Sequence, residues 1–370
     1  MKRQRIVRRA AALLLCASAA ALPQFPVGAA DRDLKGMVEA RQRFFGKKNV
    51  DPRTGAVRKD RVIMSWFSVA SYAASFNGHV VLIDAWVARG SHSGYVPTDP
   101  KEVASLDPEY IFVGHGDFDH IADAAEIVDI SGAKVVGTQA HCDSISEQLG
   151  KEIGCVAVFP GDPPAGLAKD LSDLIPGVGI TAISHIHSAF EGPEQDDGGR
   201  LPCPPIWNPG DTVEHPPTPE DFQHLVQHLP DPRGGNILYQ FRIRDLAIAW
   251  HDTTGKLKED APEVIERLEA LPPTDIHFGA ILAFGQVTNC LRDLGMYIEA
   301  LRPDLFTPSH HDNFTWFIGA NAEDLEPYVR EEIERIPEKT RPELFYTYDP
   351  DAYIKPNLFT FNPRDRRWRD

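Results

Sequence analysis

His115-Gly116-Asp117-Phe118-Asp119-His120 places two imidazoles and two carboxylates within six residues. The stretch follows the apolar residues 110–113, a run typical of a buried strand. Four potential metal ligands this close together favour a bound cation. The alternative is a polar turn in which Asp117 or Asp119 caps a helix predicted over residues 122–128. That alternative gives the histidines no role, so we interpret the stretch as a metal-binding loop that needs further ligands.

Further potential ligands stand at or just after the ends of predicted strands. They are His185, His187, Asp252 and His310. A single histidine at a strand end is more often structural, and an aspartate before Thr-Thr-Gly is more often a turn former. In this order, each after an apolar run, they indicate one metal centre shared with the opening motif. Period-two alternation predicts that His185 and His187 point to the same face.

The order of these residues resembles the metallo-β-lactamase superfamily of metallohydrolases, over residues 61–314. The signature of that superfamily is His-x-His-x-Asp-His, then a single His, an Asp and a last His. The matching residues are His115, Asp119, His120, His187 or His185, Asp252 and His310. Ser188 favours His187 for the second position. Residues 308–314 resemble the closing motif of the ascorbate-phosphate-lactonase-like branch.

The resemblance implies an α/β fold, the four-layered αβ/βα sandwich of the metallo-β-lactamase type. The chain agrees, because three apolar runs lie between residues 62 and 86, the hairpin signal Asn77-Gly78 separates the last two, and strands alternating with helices follow. We predict four segments: a signal peptide over residues 1–30, an N-terminal helical extension over 31–60, a hydrolase domain over 61–345, and a C-terminal tail over 346–370.

The resemblance also implies two divalent metal ions. The first would be bound by His115, residue 117 and His187, the second by Asp119, His120 and His310, with Asp252 bridging them. Such ions lower the pKa of bound water to about 7 and polarise a carbonyl or phosphoryl oxygen. We therefore expect metal-bound hydroxide to attack a small-molecule ester, lactone or amide, with Asp119 as the catalytic residue that orients the water. A phosphodiesterase or phospholipase-like activity is the alternative.

Asp117 stands where the superfamily usually has its second histidine. A carboxylate there makes the first site harder, which moves its preference from zinc toward manganese or iron without forbidding zinc. The alternative is a protein that has lost catalysis and keeps a metal only as part of a binding module. Asp84 and Asp312 are candidates for holding a ligand histidine in orientation, or else a strand-end turn and a helix cap.

The first thirty residues have the pattern of a secretory signal peptide. Five basic residues precede the apolar residues 10–22, and small residues follow at 28–30. Thirteen apolar residues are too few to span a bilayer comfortably. We expect a secreted or periplasmic protein with no stable membrane insertion after the signal is removed.

The chain is strongly acidic. Removing residues 1–30 takes away five basic residues and no acidic one, so the net charge of −16 becomes −21. A surface of this charge repels phosphate backbones, which argues against nucleic-acid partners. We expect a small, uncharged substrate, although a two-metal site could itself attract a phosphodiester.

Four cysteines remain once Cys16 leaves with the signal. They are Cys142, Cys155, Cys203 and Cys290. An even number in an oxidising compartment permits two disulfides, with Cys142 to Cys155 the more plausible local pair. The chain has no Cys-x-x-Cys spacing, which argues against a thiolate metal site.

Overall fold

Short strands and helices alternate along most of the chain. The computed structural model describes residues 33–87, 92–188, 210–281, 291–315 and 321–364. The strands are β1 (Val62–Ser68), β2 (Ser71–Phe76), β3 (His79–Ile83), β4 (Tyr110–Phe112), β5 (Lys134–Thr138), β6 (Cys155–Phe159), β7 (Ala168–Asp170), β8 (Gly179–His185), β9 (Asn236–Ile243), β10 (Leu246–His251), β11 (Ile276–Ala280), β12 (Leu305–Ser309), β13 (Glu343–Leu344) and β14 (Phe359–Phe361). The helices are α1 (Leu34–Phe45), α2 (Pro100–Ser105), α3 (Phe118–Ile121), α4 (Ala124–Ser131), α5 (Gln139–Leu149), α6 (Gly210–Glu214), α7 (Pro219–His228), α8 (Leu257–Asp260), α9 (Pro262–Glu269), α10 (Arg292–Leu301) and α11 (Ala322–Arg335).

Within the described residues the strands form two seven-stranded sheets. Their orders are β14-β1-β2-β3-β4-β5-β6 and β13-β12-β11-β10-β9-β8-β7. The first sheet is antiparallel from β14 to β3 and parallel from β3 to β6, and the second is antiparallel from β7 to β10 and parallel from β10 to β13. The strands β3 and β4 therefore end at one edge of the first sheet, and β8, β10 and β12 end at one edge of the second.

Aromatic rings join the inner faces of the two sheets. Phe241 of β9 lies 4.9 Å from Phe76 and 5.1 Å from Phe112, measured between ring centroids. Tyr72 meets Phe278 edge to face at 5.2 Å. Fully buried rings of this size remove much apolar surface from water and hold the sheets together.

Helices cover the outer faces of both sheets. The helix α5 packs on β5 and β6, while α9 and α10 cover the second sheet through a cluster of buried apolar side chains. The resulting order of helix, sheet, sheet and helix is the predicted four-layered αβ/βα sandwich, and this prediction is confirmed.

Several local predictions agree with the structure and others need correction. The predicted hairpin is confirmed, because Asn77 and Gly78 join β2 to β3 with left-handed φ angles of 52° and 85°. The helix predicted over residues 122–128 instead begins inside the motif as α3 and resumes as α4. The sequence analysis predicts neither α6 nor α7, although α7 begins with a capping box at Thr218.

Both ends of the described chain take part in the domain. The helix α1 buries Phe44 and Phe45 in the main core, and β14 pairs with β1 at the sheet edge. The predicted signal peptide, residues 1–30, lies outside the described residues. Within the described ranges, none of the helices combines the length and the apolar character needed to cross a bilayer.

Candidate metal centre

The opening motif lies where β4 ends and α3 begins. His115 stands in the loop, and Asp119 and His120 belong to α3. All three side chains are buried, and ligand atoms of the three lie within 4.8 Å of one another. His115, Asp119 and His120 are close in space because the loop that contains His115 leads directly into α3, which contains the other two.

The first His-Asp group, as we name it, consists of His115, Asp117 and His187. Asp117 Oδ2 lies 3.5 Å from His115 Nε2 and 3.3 Å from His187 Nε2. Burial would raise the pKa of Asp117, but the neighbouring histidines and Arg233 outweigh it and hold this pKa far below its usual range. The carboxylate at position 117 is therefore anionic and points between two imidazoles.

His185 lies apart from the first His-Asp group. Its Nδ1 is 2.8 Å from the hydroxyl of Tyr297, a residue of α10. The strand β8 ends at His185, so the period-two alternation expected for both histidines stops there. The shared face therefore stays a prediction, and of the two histidines it is His187 that lies beside Asp117.

The second His-Asp group consists of Asp119, His120 and His310. Asp119 Oδ2 lies 3.1 Å from His310 Nε2 and 3.5 Å from His120 Nε2. Burial would raise the pKa of Asp119, but the charge of His120 outweighs it and lowers this pKa well below its usual range. His310 directly follows β12, at a left-handed φ of 58°.

Asp252 lies behind both groups at the end of β10. Its Oδ2 is 2.7 Å from His115 Nδ1 and 3.4 Å from His120 Nδ1. Its Oδ1 is buried and has no hydrogen-bond partner among the described residues. A Cβ on Gly114 would lie 2.0 Å from Asp252 Oδ2, so only glycine leaves room for this carboxylate.

Asp84, at the end of β3, holds His120 in orientation. Its Oδ2 accepts a hydrogen bond from His120 Nδ1 at 2.7 Å, and its Oδ1 accepts one from the Gly114 amide at 3.0 Å. This contact agrees with the role expected of Asp84. Asp312 behaves differently, because its Oδ2 accepts from the Val69 amide and the Tyr353 hydroxyl, so the expected contact with a ligand histidine is absent among the described residues.

The donor set suits divalent metal ions. Imidazole nitrogens together with carboxylate oxygens are ligands for zinc, manganese and iron. His115 Nε2 and Asp252 Oδ1 are both buried without a hydrogen-bond partner among the described residues. Buried polar atoms are normally paired, and a bound cation would give both of these atoms a partner.

Sequence reasoning missed Arg233, which contacts the first His-Asp group. Its Nε and Nη2 atoms both lie 3.1 Å from Asp117 Oδ2. The residue lies in a loop before β9, and no spacing or periodicity connects it to a motif more than a hundred positions earlier. In the sequence, the position of Arg233 beside Gly234 and Gly235 was the only local feature that could have drawn attention to it.

The disulfide prediction is confirmed for one pair. Cys142 and Cys155 are bonded and connect α5 to β6. Cys203 and Cys290 lie outside the described residues, so their pairing stays a prediction.

The chain is similar to several known proteins. No profile of a known family matches it. A UPF0173 metal-dependent hydrolase of Pyrobaculum aerophilum is 31% identical over 219 residues, which cover 56% of this chain and 92% of the relative. Another, of Pyrobaculum neutrophilum, is 27% identical over 223 residues, or 57% of this chain and 94% of the relative. The solved structure of Igni18, a novel metallo hydrolase of Ignicoccus hospitalis, covers 78% of this chain and 95% of its own at 16% identity, with a TM-score of 0.50, and it supports the fold.

Proposed function

The chain belongs to the UPF0173 family of metal-dependent hydrolases, within the metallo-β-lactamase superfamily, and we propose that it hydrolyses a small-molecule ester, lactone or amide. The observation that carries the proposal is the pair of His-Asp groups, which stand side by side with His115 and His120 only 4.0 Å apart between ring centroids. Two adjacent divalent ions are one of the arrangements that metal-assisted hydrolysis uses.

Each proposed ligand has a donor atom in reach of its group. We assign His115, Asp117 and His187 to one ion, Asp119, His120 and His310 to the other, and Asp252 to both. Zinc is the default, and the carboxylate of Asp117 leaves manganese and iron as alternatives. When bound, the ions supply Lewis acidity and make water ionise near neutral pH.

The residues of the chain prepare this chemistry by fixing tautomers. His120 donates its Nδ1 proton to Asp84, and His115 donates its Nδ1 proton to Asp252. Each ring therefore presents an Nε2 lone pair toward its group. Asp119 stays ionised, so it can orient an attacking water and accept its proton.

Export is the second part of the proposal. The basic and apolar pattern of residues 1–30 supports it, and so does the Cys142–Cys155 disulfide, since such bonds persist in oxidising compartments. Mass spectrometry of the protein recovered outside the cytoplasm should show a chain that lacks about its first thirty residues. Recovery of the uncleaved chain from the cytoplasm alone would contradict this part.

Metal counting with a substrate panel tests the enzymatic part. We expect the purified chain to bind two ions and to turn over at least one ester, lactone or amide. His120→Ala and Asp252→Ala should each lose at least one ion and most of the turnover. His79→Ala is the matched control, because His79 pairs with Glu109 at the protein surface.

Two results would count against the proposal. Full metal content and activity in His120→Ala or Asp252→Ala would show that the residue replaced is not a metal ligand. Turnover of a phosphodiester with none of the carbonyl substrates would instead favour the phosphodiesterase alternative.

A further inference from the structure

Arg233 brings a positive charge to the first His-Asp group. Its Nε lies 3.2 Å from Asp117 Oδ1 and 3.1 Å from Oδ2, and its Nη2 lies 3.1 Å from Oδ2. The same Oδ2 faces the Nε2 atoms of His115 and His187. The guanidinium is therefore at the rim of the metal centre.

The backbone of the Arg233 loop is anchored to the motif. The Arg233 carbonyl accepts hydrogen bonds from the Gly116 amide at 2.7 Å and from His141 Nε2 at 2.9 Å. A Cβ on Gly116 would lie 2.3 Å from the carbonyl oxygen of Pro232. Because the two loops pack this closely, the backbone of Arg233 is held in place beside the proposed metal ligands.

Only part of the guanidinium is used by Asp117. Its Nη1 makes no hydrogen bond with any described residue, and 47% of the side chain is exposed. The Nη1 and Nη2 edge of an arginine carries two parallel N–H donors that match the two oxygens of a carboxylate. Because nearly half of the side chain is exposed and Nη1 makes no hydrogen bond with a described residue, this edge can bind an anion next to the proposed position of the first ion.

We propose that Arg233 binds a carboxylate of the substrate, so that the preferred ester, lactone or amide carries a negative charge near the bond that is cleaved. This inference rests on the proposed hydrolysis and names its substrate class. It replaces the uncharged substrate expected from the acidic charge of the chain, because a cation beside the site acts on a bound ligand more strongly than distant surface charges do.

Paired probe substrates test the inference. We would compare 4-nitrophenyl acetate, which is neutral, with mono-4-nitrophenyl glutarate, which has the same leaving group and a free carboxylate. In Arg233→Gln the loss in kcat/KM for the anionic probe should exceed the loss for the neutral probe by at least about tenfold, mainly through KM. Arg233→Lys keeps the positive charge but lacks the two parallel N–H donors. Its kcat/KM for the anionic probe should therefore lie between those of the wild type and Arg233→Gln.

A matched control separates this effect from a general loss of charge. Arg58 also donates hydrogen bonds from Nε and Nη2 to an aspartate, Asp60, and 43% of its side chain is exposed. Arg58→Gln should leave the ratio between the two probes unchanged. Metal content is measured for every variant, so that a loss of the first ion is not mistaken for a loss of the substrate contact.

Binding without turnover distinguishes a failure of the inference from a failure of the proposed function. Calorimetry with glutarate should show binding to the metal-loaded protein and at least a tenfold loss of affinity in Arg233→Gln. If glutarate binds in this way while neither ester is cleaved, the anion site is supported and the proposed ester hydrolysis is contradicted. Equal losses for both probes, or equal glutarate affinity in the wild type and Arg233→Gln, would overturn the inference.

Discussion

At the residue scale, Asp84 is a carboxylate outside the proposed ligand set that holds one of the proposed ligands, His120, in orientation. Its two oxygens accept from His120 Nδ1 and the Gly114 amide. We predict that Asp84→Asn lowers metal affinity about 10- to 100-fold, since an amide has one acceptor for these two donors. Asparagine tolerates the left-handed φ of 53° at this position, so the fold should persist.

Competition with a chelator would measure the affinity, and circular dichroism would verify the fold. Asp312→Asn is a useful comparison, because Asp312 is equally buried but contacts Val69 and Tyr353 in place of a proposed ligand. Unchanged affinity in Asp84→Asn would show that His120 keeps its orientation without this carboxylate.

His141 makes the stability of the Arg233 loop depend on pH. Burial disfavours the charged ring and lowers the pKa of His141 to about 4. The unfolded chain, with a pKa near 6.5, binds more protons between these values. The contribution of neutral His141 to the unfolding free energy is therefore complete above about pH 6.5 and is lost as the pH falls toward 4.

We predict that His141→Gln removes this dependence. Between pH 7 and pH 5 the wild type should lose about 2 kcal/mol more unfolding free energy than the variant, which follows from the shift in pKa. Denaturant titrations at the two pH values would give the difference. Parallel pH profiles for both proteins would contradict the prediction.

At the scale of elements, the Cys142–Cys155 disulfide ties α5 to β6 across a sequence separation of 13 residues. Closing a loop of this size restricts the unfolded chain and is worth about 3 kcal/mol. We predict that a Cys142→Ala, Cys155→Ala double variant loses about that much unfolding free energy. The difference should vanish when both proteins are unfolded in reductant, and a difference that persists would point to packing at Cys142.

The arrangement of the elements explains how much of the site could be read from the sequence. Asp252 and His310 follow β10 and β12, which end at one edge of the second sheet, and His115 follows β4 of the first sheet. Their order after apolar runs could be read from the sequence, whereas the approach of the two sheet edges came only from the resemblance. The choice between His185 and His187 did not follow, because it depends on the residue at which β8 ends. The helix α7 was missed because its capping box lies in a segment rich in proline and glycine.

Arg233 marks a different limit. Its contact with Asp117 depends on the fit between two loops, and the glycine at position 116 that permits this fit looks like any other turn residue in the sequence. A charge pair of this kind leaves no periodic signal. Only the three-dimensional arrangement shows that the unusual carboxylate of the motif has a cationic partner.

At the scale of the whole molecule, metal binding should contribute to the stability of the fold. The chain gathers four carboxylates, on Asp84, Asp117, Asp119 and Asp252, where the loops of the two sheets come together. Anions this close together destabilise the protein unless cations offset them. The proposed ions would link loops from both sheets, because their ligands follow β4 in one and β8, β10 and β12 in the other.

We predict that removing metal with a chelator lowers the melting temperature by several degrees and that adding back one or two equivalents restores it. A ligand that binds only the folded state adds about 2.7 kcal/mol at a concentration of 100 times its Kd. Scanning calorimetry at fixed pH would measure the shift. His120→Ala should start with a lower melting temperature and gain less from added metal, because one group of ligands is incomplete. Equal gains in the wild type and this variant would mean that the stabilising ion binds elsewhere.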